Sequence, residues 1–167
     1  MSSVKSRNQS GDQSSGAGFF DQHKDRQAWM GVLARTPKAT LESFWQELAD
    51  RPEYGVLRAP ETGMVMVRGR AGGEGARFNL GEMTVTRCVV RTTDGRMGQS
   101  YVAGRDHRHA ELAALFDALL QDPERRALLK RELIEPAEND LRDKRAQDAR
   151  KVATTKVDFF TMVRGDD

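Results

Sequence analysis

The spacing of apolar residues changes twice along this chain, and that change constrains the fold more than any motif does. Leu41, Phe44, Trp45 and Leu48 recur at the three- and four-residue spacing of one helix face. At Arg51-Pro52 the texture shifts to Val- and Met-rich runs punctuated by glycine. After Asp106 helical spacing returns with Leu112, Leu115, Phe116 and Leu119. Helices at both ends and strands between predict an α+β fold, a small antiparallel sheet of three to four strands packed against helices. The 167 residues suffice for one domain, expected over 21–167. The Ser-, Gly- and Gln-rich start has little to bury, so 1–20 is expected to be a disordered tail.

The punctuation refines this outline. Trp29, Met30 and Leu33 mark a first helix from near Phe20 to near Arg35. Thr36-Pro37 then reads as a restart, with a hydroxyl at the N-cap and proline at the first helical position. Strands are expected at 54–59, 64–70, 83–93 and 96–103, with Pro60-Glu61-Thr62-Gly63 as a turn and Asp94-Gly95 as a two-residue hairpin loop. Asp106 is placed to cap a helix over 107–121, Asp122-Pro123 to open a short helix through Leu133, and Pro136 to start a long charged C-terminal helix.

The third of these strands alternates poorly. One face carries Met83, Val85, Arg87, Val89 and Arg91, the other Thr84, Thr86, Cys88, Val90 and Thr92. A sheet with one wet side alternates more cleanly. Helices are therefore expected over one face, and another covering, such as a second protein, over the other. The chain's end, 157–167, is read as a docking tail. Phe159, Phe160, Met162 and Val163, with Arg164 beside them, would be an aggregation hazard if left in water.

Composition narrows the classes of function. No apolar run approaches the ~20 residues that span a bilayer. One cysteine, Cys88, excludes a disulfide framework and an iron–sulfur or zinc–thiolate site built within the chain. Mid-strand, that thiol reads as a small core residue. The polar start lacks an apolar signal core, so a cytoplasmic location is expected. Net charge is only +2, yet the arginines at 58, 68, 70, 77, 87, 91, 96 and 105 face four acids between them. Arginine suits planar pairing with carboxylate or phosphate.

Two segments are candidates for anion contact. The loop Gly72-Gly73-Glu74-Gly75 ending in Arg77 lets backbone amides converge, though it has neither a Walker lysine nor a following helix. Arg105 and His107 stand where a helix begins. His107 and His109, two apart, do not share a helix face, so no metal site is assigned. No nucleophile sits in a recognisable elbow, and no catalytic residue is assigned.

A set of segments, in order, carries a resemblance. These are Arg26-Gln27-Ala28-Trp29-Met30, Arg58-Ala59-Pro60-Glu61-Thr62-Gly63-Met64-Val65, the loop through Arg77-Phe78, Thr86-Arg87-Cys88-Val89-Val90-Arg91, Gly104-Arg105-Asp106 with His109-Ala110-Glu111, and the tail Val157-Asp158-Phe159-Phe160-Thr161-Met162-Val163-Arg164-Gly165-Asp166. Over about 24–167 the chain resembles the PhnG family, the G subunit of the bacterial carbon–phosphorus lyase core complex. The resemblance implies partners, the H, I and J subunits and the L protein. It implies a shared reaction in which an alkylphosphonate displaces adenine from ATP, giving α-D-ribose 1-alkylphosphonate 5-triphosphate. It implies that the complex uses ATP and that the J subunit alone carries an iron–sulfur cluster with S-adenosylmethionine, with no cofactor held by this chain. The family supplies no catalytic residue to carry across. Two rival readings stay open at this point: a nucleic-acid-binding module using the basic sheet, and a stand-alone hydrolase using His107 or His109. The strands offer only Tyr54, Phe78 and Tyr101 for base stacking, and the hydrolase lacks a nucleophile.

Overall fold

The computed structural model describes the backbone of residues 14–70 and 75–154, and side chains from residue 23 onward within those ranges. Its elements run α1 (Ser14–Leu33), α2 (Lys38–Glu47), β1 (Tyr54–Arg70), β2 (Arg77–Thr92), β3 (Met97–Ala103), α3 (His107–Leu120), α4 (Pro123–Leu129), a π-helical turn (Lys130–Ile134) and α5 (Glu135–Thr154). The three strands form one antiparallel sheet in the order β1-β2-β3. The α+β expectation holds. Helix α1 as described, Ser14–Leu33, takes in residues 14–20 of the stretch expected to be tail.

Helix α3 is the centre of the molecule. Ala110 and every residue from Leu112 to Leu120 are buried. A helix apolar on nearly all sides belongs inside, and α3 is packed between the sheet and helices α1 and α2. Phe44 and Trp45 of α2 meet Phe116 edge-on, at centroid distances of 5.8 and 6.3 Å. The approach of α3 to β3 is so close that a Cβ on Gly98 would lie 1.8 Å from the Ala114 carbonyl oxygen. Glycine there is a packing requirement. Asp106 caps α3 as expected, its carboxylate accepting from the His109 amide at 3.0 Å.

Four local expectations are corrected. Thr36 does not cap α2. Its buried hydroxyl donates back to the Val32 carbonyl at 3.0 Å, closing the end of α1, and Pro37 takes the N-cap position. The segment 60–63 is no turn, and the runs 54–59 and 64–70 are one strand, which settles the sheet at three: β1 passes straight through, with register irregularities between Val56 and Arg58 and between Arg58 and Glu61. Pro60 has no N–H to give a ladder, and the strand absorbs it as a bulge. Pro136 does not open a separate helix. The chain stays helical from Pro123 to Thr154, with the π turn just before the proline widening the ring where its missing amide would have bonded. The Asp94-Gly95 turn is present, but the loop is three residues, Thr93-Asp94-Gly95, with Gly95 at φ 88° and the Thr92 amide donating to the Arg96 carbonyl.

Candidate functional site

β2 has two very different sides. Thr86, Cys88, Val90 and Thr92 are buried toward the helices. Val85, Arg87, Val89 and Arg91, on the alternate positions, look the other way, together with Met97, Gln99 and Tyr101 of β3. Among the described residues no helix covers that outer face. Among the described residues, ten of the twelve large apolar side chains left exposed lie on the three strands. Val65, Phe78, Met83, Met97 and Tyr101 of these lie on the outer face, so that face stands exposed. On it Arg87 binds Glu61 at 3.0 Å, and a recess of about 170 Å3 opens between Glu61, Val65, Arg87 and Tyr101.

On the helix side of the sheet, where β3 turns into α3, there is a polar corner. Gly104, at φ 92°, turns the chain from β3 toward α3. The Thr86 hydroxyl donates to the Gly104 carbonyl at 2.8 Å, and Thr62 Oγ1 lies 3.2 Å from both Thr86 Oγ1 and His107 Nε2. Because the Thr86 proton goes to the carbonyl, Thr62 donates to Thr86 and accepts from His107. Nε2 of His107 therefore carries a proton. Arg105, exposed, stands beside it. Asp106 is engaged: the His109 amide, with Lys38 at 3.3 Å, holds its carboxyl below the usual carboxylate range. His109 points elsewhere, its Nε2 donating to the Leu33 carbonyl at 3.0 Å, which ties α3 to the end of α1. The two histidines thus serve different partners.

The residues expected to hold an anion do not converge. Arg77 opens β2 opposite Arg70, eight residues beyond Val85, the partner of Ala103. That is roughly 25 Å from the corner with Arg105 and His107. Arg70 Nη1 donates to the Gly75 carbonyl at 3.0 Å, with Gly75 at φ 86°. Gly72 and Gly73, and the tail residues Phe159, Phe160, Met162, Val163 and Arg164, lie outside the described residues.

The remaining reactive side chains are structural. Cys88 is buried, its thiol pushed up to about 11 by that burial, and it donates to the Arg58 carbonyl. A group so rarely ionised is no nucleophile at neutral pH. Sequence reading passed over Asp117, fully buried in α3. Its carboxylate accepts from Arg26 at 2.7 Å, Trp29 Nε1 at 2.9 Å and the Gln99 amide at 3.0 Å. The signal was there: one acid inside an apolar helix, and an Arg-Trp pair three apart on α1. Among the described residues no three His, Cys, Asp or Glu side chains group as metal ligands would, and no helix is long and apolar enough to cross a membrane.

Residues 24–165 match the family model described as phosphonate metabolism protein PhnG. Over 144 residues the chain is 46% identical to the alpha-D-ribose 1-methylphosphonate 5-triphosphate synthase subunit PhnG of Rhizobium meliloti (strain 1021), covering 85% of this chain and 90% of that protein.

Proposed function

The chain belongs to the PhnG family of phosphonate metabolism proteins, and from that premise we propose that it is a subunit of a ribose 1-methylphosphonate 5-triphosphate synthase within a carbon–phosphorus lyase system. The observation that carries this reading is the 46% identity across 90% of a relative named as such a subunit. In the proposed reaction a phosphonate oxygen bonds to the ribose C1′ of ATP, the glycosidic bond breaks, and adenine leaves with that electron pair. The partners are the H, I and J subunits and the L protein, and the setting is the cytoplasm.

The physical reading supports a dependent role. In the hydroxyl–imidazole pair of Thr62 and His107 the imidazole donates, so it does not act as a base on the hydroxyl, and Thr62, Arg105 and His107 are all exposed to solvent. A site of that kind lends a charge or a proton to chemistry whose other parts come from elsewhere. The uncovered sheet face supplies the place where another subunit would sit, and the tail residues Phe159, Phe160, Met162, Val163 and Arg164 would extend that contact.

The test is reconstitution of adenine release from ATP and methylphosphonate by the I, H and L proteins, with and without this chain. Release that requires the chain is expected. Equal release without it would overturn the reading.

A further inference from the structure

β3 stops at Ala103 opposite Val85, but β2 and β1 continue as a pair. Residues 64–70 and 77–84 form a two-stranded arm with, among the described residues, no third strand and no helix beneath it. An isolated hairpin is marginal in water at best. This one is also apolar on both sides.

Directly opposed residues share a face of a ribbon. Val65 with Met83, and Gly69 with Phe78, lie on the face continuous with the outer sheet surface. Leu80, the extra residue at the irregularity between Val67 and Arg68, joins them: a Cβ on Gly69 would lie 2.4 Å from Leu80 Cδ1. Leu80 is 61% exposed. The opposite face carries Met64 with Thr84, Met66 with Glu82, Arg68 with Asn79 and Arg70 with Arg77. Met64 is 67% exposed. Three arginines there face one glutamate, and the opposed Arg70–Arg77 pair is repulsive until an anion comes between.

We propose that this arm inserts into a cleft of another subunit of the same enzyme and is gripped on both faces. One wall of the cleft is apolar, against Val65, Phe78, Leu80 and Met83. The other accepts Met64 and Met66 and sets carboxylates beside Arg68, Arg70 and Arg77. A flat partner surface would leave one apolar face in water, so the two-sided exposure favours a cleft. The bulge at Leu80 breaks the free edge of β2, which argues against simple strand addition. Duplex DNA also takes basic β-ribbons, but the bulky apolar residues on both faces and one acid among the arginines fit a protein better. The inference rests on the proposed membership of a multi-subunit synthase.

The experiment co-expresses the full chain with the H, I and J subunits, recovers the complex through a tag on the I subunit, and compares Met66→Glu, Phe78→Glu and Leu128→Glu. Leu128 is an exposed apolar residue of α4, away from the arm. Recovery of this chain should fall at least tenfold for each arm variant and stay unchanged for Leu128→Glu. The second measurement needs no variant: amide exchange at 64–70 and 77–84 should slow at least tenfold on going from isolated chain to complex. If the unaltered chain is not recovered with the tagged subunit, the proposed function itself falls, and this inference with it. If it is recovered and the arm variants are recovered equally, or the arm amides exchange unchanged, the arm inference alone is overturned. Tight, salt-sensitive binding of a DNA duplex by the isolated chain, lost in Arg70→Ala and Arg77→Ala, would also overturn it in favour of nucleic acid.

Discussion

One strand borders both a finished and an unfinished half of this molecule. On the inner side of β2, Thr86, Cys88 and Val90 are sealed against α3, and among the described residues no buried side-chain polar atom lacks a partner. On the outer side, and along the arm, methionines, Phe78, Leu80 and Tyr101 stand in water. The inner half is built like the core of an independent protein, the outer half like one side of an interface. The difference teaches where to look for function: substitutions inside should be read as stability, and substitutions outside as assembly.

The largest expected effects break the inner half. Asp117→Ala leaves Arg26, Trp29 and the Gln99 amide without their shared acceptor and should cost about 3–5 kcal/mol. Gly98→Ala drives a methyl into the Ala114 carbonyl and should cost about 3 kcal/mol or more. Thermal unfolding should show each as a drop of roughly 6 °C or more. A midpoint within a degree of the parent would show that the inner packing is looser than described.

Next comes the tail. Changing Phe159 and Phe160 together to alanine should weaken capture by the other core subunits by roughly 2–4 kcal/mol, while leaving the unfolding midpoint in place. Full capture would remove the tail from the interface.

The two arginines sharpen the comparison, because they sit at opposite ends of the outer half. Arg105→Ala, beside His107, should leave the complex intact and reduce adenine release roughly ten- to hundredfold if it holds a phosphate. Arg77→Ala, out on the arm, should reduce assembly and affect turnover only through it. At roughly 25 Å apart, the two changes should add. Scoring intact complex and adenine separately tells the roles apart, and equal behaviour of the two variants would contradict the division.

The smallest effect concerns Cys88. Its folded value, about 11, lies above its ordinary 9.0. The thiol is therefore favoured in the fold, that contribution is complete below about pH 9, and it is lost as pH rises toward 11. Alkylation of the folded protein at pH 8 should be far slower than of the unfolded chain. Prompt labelling would mean the inner face opens readily.

Much of the inner half was legible in the sequence. Leu112, Leu115, Phe116 and Leu119 announced α3, and Asp106 its cap. The poor alternation of 83–93 pointed to coverings on both faces, of which the helices supply one and the outer face stands exposed. What stayed hidden depended on long-range contact. Pro60 signals a turn locally, but the pairing of Glu61 with Arg87 on the far strand carries β1 past it. Thr36 looks like an N-cap until Val32 is seen to offer its carbonyl. The distance between the two anion candidates could not be read from the sequence, because sequence distance does not show that β2 runs away from α3. Asp117 stands out as an acid inside an apolar helix, but its partners, 88 and 91 residues away, could not be read from the sequence.

The central claim, that the outer half is completed by other subunits, is tested most directly by oxidative footprinting of the methionines. In the isolated chain Met64, Met66, Met83 and Met97 should oxidise fast and the half-buried Met30 slowly. In the intact complex Met64, Met66 and Met83 should fall to the rate of Met30. If they oxidise as fast in the complex as in the free chain, the arm is simply a solvated hairpin and the account is wrong.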